Sequence, residues 1–325
     1  MTTEETRSIL TIALMAAFAD GLKDEGERAA VKRIAEALGP EAGFDLPGLY
    51  REVLLAKPDL AKVAASLQSQ ESRQLAYEMA VGVCDADGAQ GPAEKTFLAQ
   101  LAALLALPSA AAGATSASAD EIAEAAFAAT DAHPAAGAAA AVTVAGTVMG
   151  KSSLSDAETD KLILNAAVTN AALELLPETL ASMAIIPLQM RLVYRIGQAY
   201  GYAMDRTHAK DFLATLGVGL TSQYLEQFGR KLLGGVLGGL GGGLGRTVGR
   251  QAASSGLTFA TTYALGRVAQ RYYAAGRTMD TATLKQTFAG LLDEARGLAP
   301  RYREQIEQKA STIDTRSLAA LVRQS

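Results

Sequence analysis

Residues that commonly support catalysis and metal binding are scarce in this sequence. The chain of 325 residues has no tryptophan, one cysteine and two histidines. A single cysteine excludes a disulfide scaffold and any metal site built from several cysteines, and it fits a reducing compartment. Two histidines leave few candidates for nucleophile–imidazole catalysis. We therefore expect a protein that is not an enzyme.

Charged residues and long apolar runs are also infrequent. Charged side chains make up 20% of the sequence and hydrophobic ones 49%, so the chain can bury a sizeable core. Glu4, Glu5 and Arg7 lie where the apolar run of a signal peptide would begin. Residues 132–150 lack charge and are long enough for a membrane span. Because alanine and glycine gain little from entering hydrocarbon, we expect a connector there.

Helical periodicity dominates the sequence, and alternating strand patterns are nearly absent. The sequence therefore predicts an all-α fold. Two helical domains are joined by an alanine-rich linker, and the second contains a glycine-rich helical hairpin. The expected boundaries are 1–108 for the first domain, 109–160 for the linker, 161–278 for the second domain and 279–325 for an amphipathic helical tail.

Proline and glycine mark several expected breaks. Residues 180–200 are predicted as an apolar helix with a kink at Pro187 and Gly201 as its C-cap. The tail is expected to begin near Thr281 and to break at 297–300. The composition of the linker predicts a mobile segment with one helix, at 120–129.

The first domain contains an internal duplication with an Asp-Gly turn in each copy. Asp20-Gly21 precedes Glu27 and Asp87-Gly88 precedes Glu94, so both copies are D-G-x5-E, offset by 67 residues. One interpretation is structural. Glycine ends the first helix, and the glutamate at N3 reaches back to cap the second, with a Gly-Pro pair at the cap in the second copy.

The other interpretation of this motif is a divalent cation site. Gly88 and Glu94 keep the spacing of the glycine and the bidentate glutamate of an EF-hand loop. The loop is incomplete, because Val83 occupies the first ligand position and cannot bind metal through its side chain. The candidate ligands for Ca²⁺ or Mg²⁺ are Asp85, Asp87 and Glu94 in the second copy and Asp20 and Glu27 in the first.

These residues carry a resemblance to a known family. Residues 9–107 resemble the TerB-like tellurite-resistance domain, a small helical bundle with a duplicated Asp-Gly turn and a downstream glutamate. Both D-G-x5-E motifs match this signature. The resemblance implies a bacterial domain at the cytoplasmic face of the inner membrane, linked to membrane stress and to divalent metal. It does not imply an enzyme.

The second half is basic and rich in glycine. Residues 161–277 carry 12 basic and 5 acidic side chains, whereas residues 1–110 carry 10 and 16. Glycines at four-residue spacing let helix backbones approach closely, and arginine and tyrosine beside apolar stretches suit a lipid headgroup layer. An ordinary helical bundle with an arginine-rich face is the other interpretation. The candidate membrane- or partner-binding residues are Gly234, Gly238, Gly242, Arg246, Arg250, Arg267, Arg271, Tyr272 and Tyr273.

Residues 162–276 also resemble the YcjF-like domain of bacterial inner-membrane proteins, which accompanies or is fused to Era-like GTPases. That family has an acidic residue shortly after a proline, and Ser182 lies at this place here. The resemblance implies membrane association and a GTPase partner. The chain has no GTP-binding motif of its own. The matching residues are Pro177, Gln189, Met190, Ile196, Tyr200, Gly201, Thr262, Ala264, Gly266, Arg267 and Tyr272.

Together these features predict a non-enzymatic, membrane-associated adaptor in a bacterial stress or envelope system. It would respond to divalent metal and bind an Era-like GTPase or tellurite-resistance proteins at the cytoplasmic face of the inner membrane. The alternative is a soluble metal-responsive interaction module that oligomerises through its glycine-rich half. We expect a homo-oligomer, and no nucleic-acid partner, because the acidic first half would repel nucleic acid.

Overall fold

The computed structural model describes a helical protein. Every regular element in the described part of the chain is a helix, which confirms the predicted all-α fold. Of residue 180 and residues 244–254 only the backbone is described. The described residues are 2–21, 32, 36, 44–86, 90–127, 151–176, 179–216, 225, 229, 232 and 244–325.

The chain divides into two compact units that interleave along the sequence. Unit 1 comprises Met1–Ala123, Pro177–Met183 and Gly217–Ser254. Unit 2 comprises Glu124–Leu176, Ala184–Leu216 and Ser255–Ser325. The predicted domain layout stays a prediction, and the compact units divide the chain differently. The predicted tail, for example, belongs to unit 2.

Helix α1 (Thr3–Ala17) organises the core of unit 1. It begins with a capping box, in which the Thr2 hydroxyl accepts the Glu5 N–H at 3.1 Å and the Glu5 carboxylate accepts the Thr2 N–H at 2.9 Å. Ile9 and Ile12 on its inner face are fully buried. The helices that pack on α1 are α2 (Leu46–Ala56), α3 (Leu60–Ala65), α4 (Gln70–Cys84) and α5 (Pro92–Leu104).

The first part of the predicted linker is helical. Helix α6 runs over Ser109–Ala125, so the helix predicted at 120–129 begins 11 residues earlier than expected, while the mobility of the linker stays a prediction. Alanine has the highest helix propensity, and Ala112 and Ala119 bury their methyl groups in unit 1. Composition alone therefore could not distinguish a flexible connector from an alanine-rich helix. Residues 128–150, which include the whole uncharged stretch 132–150, lie outside the described part.

Unit 2 is built around helix α7 (Asp156–Leu175). A capping box of Ser155 and Glu158 begins this helix. Its alanine face packs closely on α9 (Ile185–Ala199) and α13 (Arg303–Thr312). Phe259 of α11 (Leu244–Ala274) enters the same core. The core cluster consists of Ala167, Ala171, Ala172, Phe259, Ala299 and Ile306.

The uncharged stretch 251–266 contributes to this core. Phe259, Ala264 and Leu265 on α11 are buried in unit 2. A Cβ atom at Gly266 would lie 2.8 Å from Ile163 Cγ1 and 3.1 Å from Leu192 Cδ2. The small residue therefore allows α11 to approach α7 and α9 closely. The four-residue glycine spacing at 234–242 lies outside the described residues.

The predicted kink at Pro187 is displaced toward the N-terminus. Helix α8 (Thr179–Met183) ends before Ala184, and α9 begins at Ile185. A proline ring clashes with the carbonyl group four residues earlier, which here is that of Met183. Pro187 therefore lies in the first turn of α9, where its missing N–H costs no helical hydrogen bond.

The C-cap prediction at the other end of α9 is confirmed. Gly201 has φ +81°, and the Tyr202 N–H donates to the Gly197 carbonyl at 3.1 Å, as in a Schellman motif. Helix α10 (Arg206–Thr215) follows and packs on α9.

The predicted start and break of the tail are also confirmed. Asp280 caps α12 (Thr281–Leu298), because its carboxylate accepts the Thr283 N–H at 2.8 Å. A 3₁₀ turn over Ala299–Tyr302 separates α12 from α13. The last helix, α14 (Leu318–Gln324), packs on α9 and was not predicted.

Candidate functional site

The first Asp-Gly turn follows the end of α1. The Gly21 N–H donates to the Phe18 carbonyl at 3.0 Å, and Gly21 has φ +89°. This left-handed conformation favours glycine, as predicted, but the C-cap of α1 is Phe18, so Gly21 turns the chain after the helix and does not itself end it. Glu27 of this copy lies outside the described residues.

The second copy shows the predicted cap. Gly91 is the N-cap of α5, Pro92 occupies N1, and the Gly91 N–H donates to Glu94 Oε2 at 2.6 Å. This confirms the structural interpretation for Glu94. Asp85, at the C-cap of α4, is only 5% exposed. Asp87 and Gly88 lie outside the described residues.

Carboxylates from both copies act electrostatically on one buried thiol. Cys84 is 1% exposed, as expected for a core residue. Burial raises the pKa of Cys84 far above its usual range, and the negative charges of Glu94, Asp85 and Asp20 raise it further. A thiol with such a pKa is a poor nucleophile. Asp20, Asp85 and Glu94 are three of the five candidate metal ligands. Because their charges all act on Cys84, they lie near one end of the bundle.

The divalent cation site stays a prediction. Within the described ranges, no group of three histidine, cysteine, aspartate or glutamate side chains is arranged to hold a metal ion. Two of the candidate ligands, Asp87 and Glu27, lie outside those ranges. Their positions decide whether Asp20, Asp85 and Glu94 belong to a complete ligand set.

The basic residues of unit 2 occupy very different environments. The Arg267 guanidinium pairs with Asp160 and donates to the Tyr263 hydroxyl at 2.9 and 3.1 Å. It also lies over the Tyr263 ring, 5.1 Å from the centroid. Arg271, one turn later, is exposed and forms no ion pair in the described part of the chain. Arg271 is therefore the better candidate for contact with a partner.

The structure places one of the other predicted membrane- or partner-binding residues in the interior of unit 2. For most of the rest, the side chain lies outside the described part of the chain. Tyr273 is 2% exposed and packs against the rings of Tyr202 and Phe212, so the structure places it in the interior rather than on a binding surface. Tyr272 is partly exposed beside it. Arg246 and Arg250 lie on α11, but only the backbone of α11 is described there. Gly234, Gly238 and Gly242 lie outside the described residues.

A cavity of about 500 Å³ opens beside Arg267. Its wall combines two arginines, Arg267 and Arg271, with the carboxylates of Asp156 and Glu294. Tyr200 also lines it, and burial raises the pKa of this tyrosine. The charges of the wall balance, so the cavity gives no net attraction for a simple anion.

Sequence reasoning missed a buried polar cluster in unit 2. Asn170 Nδ2 and Gln189 Nε2 both donate to Thr262 Oγ1 at 3.1 Å, and none of these residues is more than 2% exposed. The three side chains come from α7, α9 and α11. The available signal was a polar residue within each apolar helix.

Sequence reasoning also missed the burial of Arg191. Arg191 is 1% exposed, and its guanidinium donates to the Ala126 carbonyl at 3.1 Å and to the Arg323 carbonyl. Burial lowers the pKa of Arg191. The available signal was the sequence around Arg191, which is apolar on all faces of α9 and therefore typical of a buried helix.

Comparison with known proteins supports the first resemblance. Residues 11–117 match the family model described as "Tellurite resistance protein TerB". The match covers 107 of the 325 residues, so about a third of the chain is similar to TerB. The match begins within α1 and ends within α6, and it contains both Asp-Gly turns. It relates the protein to tellurite resistance and confirms the predicted TerB-like domain.

The remainder of the chain has no such support. No curated protein and no solved structure matches the chain. The YcjF-like resemblance of residues 162–276 therefore stays a prediction. Within the described residues, no helix has both the length and the apolar character that crossing a membrane requires.

Proposed function

We propose that the protein is a non-enzymatic adaptor of a bacterial tellurite-resistance or envelope-stress system. The TerB domain at residues 11–117 carries this proposal. In it, the acidic end of the TerB domain responds to a divalent cation, and the basic second half attaches to anionic lipid at the cytoplasmic face of the inner membrane. An Era-like GTPase or a tellurite-resistance protein is the proposed partner.

Cation sensing is supported by the negative charges of Asp20, Asp85 and Glu94, which all raise the pKa of Cys84. Like charges that are close together repel one another, and a divalent cation would relieve that repulsion. A cation bound to the folded state raises stability by about 2.7 kcal/mol at a hundred times its dissociation constant.

Thermal melting with added Ca²⁺ or Mg²⁺ tests this part. We expect millimolar cation to raise the Tm of the wild-type chain and to leave that of an Asp85→Asn/Asp87→Asn variant unchanged. Asp59→Asn is the matched control, because Asp59 caps α3 and asparagine caps equally well. This control should keep the cation response. A wild-type Tm that neither cation changes would exclude cation sensing.

Lipid attachment is supported by the net charge of +7 over 161–277 and by the exposure of Arg271. Sedimentation with phosphatidylserine-containing liposomes tests it, with neutral phosphatidylcholine liposomes as the comparison. We expect binding at low salt that weakens as salt screens the charges. Arg271→Gln should weaken binding, whereas Arg296→Gln, which removes an exposed arginine paired with Asp293, should not. Absence of binding at low salt would contradict lipid attachment.

Burial of the stretch around Phe259 and of Tyr273 favours the alternative module. In that case the basic half packs as a protein core and its glycine-rich part associates with a second copy. Light scattering without detergent distinguishes the two proposals. A stable oligomer that Gly238→Leu/Gly242→Leu dissociates, together with no liposome binding, would select the alternative.

A further inference from the structure

A second, small cavity lies in unit 2. Of the candidate site residues predicted from the sequence, it shares only Tyr272 and Tyr273. Helix α10 presents His208, Asp211, Phe212 and Thr215 to it, at the i, i+3, i+4 and i+7 positions of one helix face. The C-terminal end of α11 and Leu284 of α12 complete the wall. The volume is about 220 Å³. This is the space of roughly seven water molecules, so it suits a small solute.

The floor of this cavity is aromatic and rigidly packed. The ring centroid of Phe212 lies 5.3 Å from that of Tyr272 and 6.0 Å from that of Tyr273. Phe212 and Tyr273 are 5% and 2% exposed. Burial raises the pKa of Tyr273 above its usual range, so its hydroxyl stays neutral. Neutral aromatic faces attract cations and also accommodate apolar groups.

Arg277 brings a positive charge to the edge of this floor. Its guanidinium lies over the Tyr202 ring, 5.7 Å from the centroid, and the nearby Tyr272 hydroxyl raises the pKa of Arg277. Both partners are neutral, and Arg277 has no ion pair within the described residues. Its φ of +63° is in the left-handed region, where glycine would be favoured. An arginine thus occupies a position that backbone stability alone would give to glycine.

Asp211 supplies the opposite charge. Its carboxylate also forms no ion pair in the part of the chain that the structure describes. The neighbouring His208 is already engaged, since its Nδ1 lies 2.8 Å from Asp205 Oδ1. The cavity therefore offers one exposed cation and one exposed carboxylate above an aromatic surface, and neither is paired within the described ranges.

We propose that this cavity binds a small zwitterion with a carboxylate and an ammonium group, of which a free amino acid is the simplest example. The ligand carboxylate would pair with the Arg277 guanidinium, which its neutral partners hold in place. The ligand ammonium would lie between Asp211 and the aromatic faces. A plain anion would meet the charge of Asp211, and a plain cation would meet that of Arg277. This site is independent of the TerB domain and of the function proposed above.

Binding of the twenty free L-amino acids, each tested by calorimetry with the full chain, examines the proposal. The best ligand is then compared with its analogue that lacks the ammonium group and its analogue that lacks the carboxylate. We expect at least tenfold weaker binding for each analogue, because each leaves one protein charge unpaired. No binding by any of the twenty would overturn the proposal, and so would equal binding by either analogue.

Variants separate recognition from folding. Arg277→Gly should weaken binding at least tenfold and keep or raise the wild-type Tm, because glycine relieves the left-handed strain. Lys57→Gly is the matched control. Lys57 has φ +46° at the C-cap of α2 in unit 1, so this change should also keep or raise the Tm and leave the affinity unchanged. Asp211→Asn should weaken binding while keeping the Tm. Wild-type affinity in folded Arg277→Gly or Asp211→Asn would refute the assignment.

Discussion

Gly266 of α11 allows a direct test of how closely the helices of unit 2 pack. Alanine is the better helix former, by about 1 kcal/mol in an exposed helix interior. At Gly266, however, the added Cβ would lie 2.8 and 2.9 Å from the two γ carbons of Ile163 and 3.1 Å from Leu192 Cδ2. Carbon atoms in proteins essentially never approach so closely, so the neighbouring side chains or α11 must shift.

Whether Gly266→Ala stabilises or destabilises the protein depends on two contributions, the gain in helix propensity and the cost of the added methyl group in the core. Extra methyl groups in a packed core cost about 1–3 kcal/mol. Subtracting the propensity gain leaves Gly266→Ala destabilised by about 0–2 kcal/mol. Gly290 of α12 is the matched control, because it is also helical but exposed, and a Cβ added there would meet no atom within 4 Å apart from its chain neighbours and its own helix backbone. Gly290→Ala should therefore stabilise by about 0.5–1 kcal/mol.

Urea unfolding followed by circular dichroism measures both variants. We expect the urea midpoints of the two variants to move in opposite directions. In thermal unfolding, each 1 kcal/mol should correspond to ~2–4 °C in Tm for a unit of this size. Ile163→Ala removes both γ carbons, so the double variant Ile163→Ala/Gly266→Ala should be less destabilised than the two single effects predict. If Gly266→Ala stabilised as much as Gly290→Ala, the close approach of α11 to α7 would be refuted.

Three further predictions concern single side chains. Arg191→Met should lower the free energy of unfolding by about 2–4 kcal/mol in urea titrations, because the carbonyl groups of Ala126 and Arg323 lose their donor; an unchanged midpoint would contradict this. Cys84 should resist iodoacetamide at pH 7 in the folded chain and react in urea, because burial raises the pKa of its thiol; rapid native labelling would contradict its burial. Asp280 accepts the Thr283 N–H, which lowers the pKa of this carboxyl, so its stabilising contribution is present above its unfolded pKa of about 3.9 and is lost as pH falls through the folded value. Asp280→Asn should therefore lose less stability than the wild type between pH 7 and pH 3 in urea unfolding, and an equal loss would show that Asp280 is not a source of the acid sensitivity.

The helices with local start and stop signals were predictable. Asp45, Ser155 and Asp280 each cap the helix that follows, through bonds between neighbours in sequence. The glycine at position 201 likewise ends α9 through its own backbone freedom. These interactions need no knowledge of the rest of the fold, so a single sequence contains them.

Other features of the fold depend on tertiary packing and could not be predicted from local sequence signals. The sequence around Ser109 resembles a linker by composition, yet its alanines are good helix formers that find buried positions in unit 1. In the same way, Thr262 and Asn170 are far apart in sequence, and only the packing of α7 on α11 brings them within 3.1 Å. The cavity beside Arg277 arises from three helices and has no motif of its own.

The two Asp-Gly motifs illustrate both what local sequence predicts and what depends on tertiary packing. The D-G-x5-E spacing predicted the cap that Glu94 makes, because the residues involved lie within one turn. The gathering of carboxylates near Cys84 depends instead on how α1, α4 and α5 pack together. Asp85 adjoins Cys84 in the sequence, but the sequence could not indicate that the charges of Asp20 and Glu94 act on the same thiol.

The net charge of a segment is also a poor guide to the charge of a surface. Residues 161–277 carry +7, which favoured an exposed basic face. The structure buries Arg191, pairs Arg267 with Asp160 from outside that segment, and holds Arg277 beside a cavity. Arg191 and Arg267 are engaged within unit 2, so fewer charges remain for a lipid or protein partner. Electrostatic binding by this half should therefore depend on Arg271, and little on Arg267, although a count of charges along the sequence treats the two as equal.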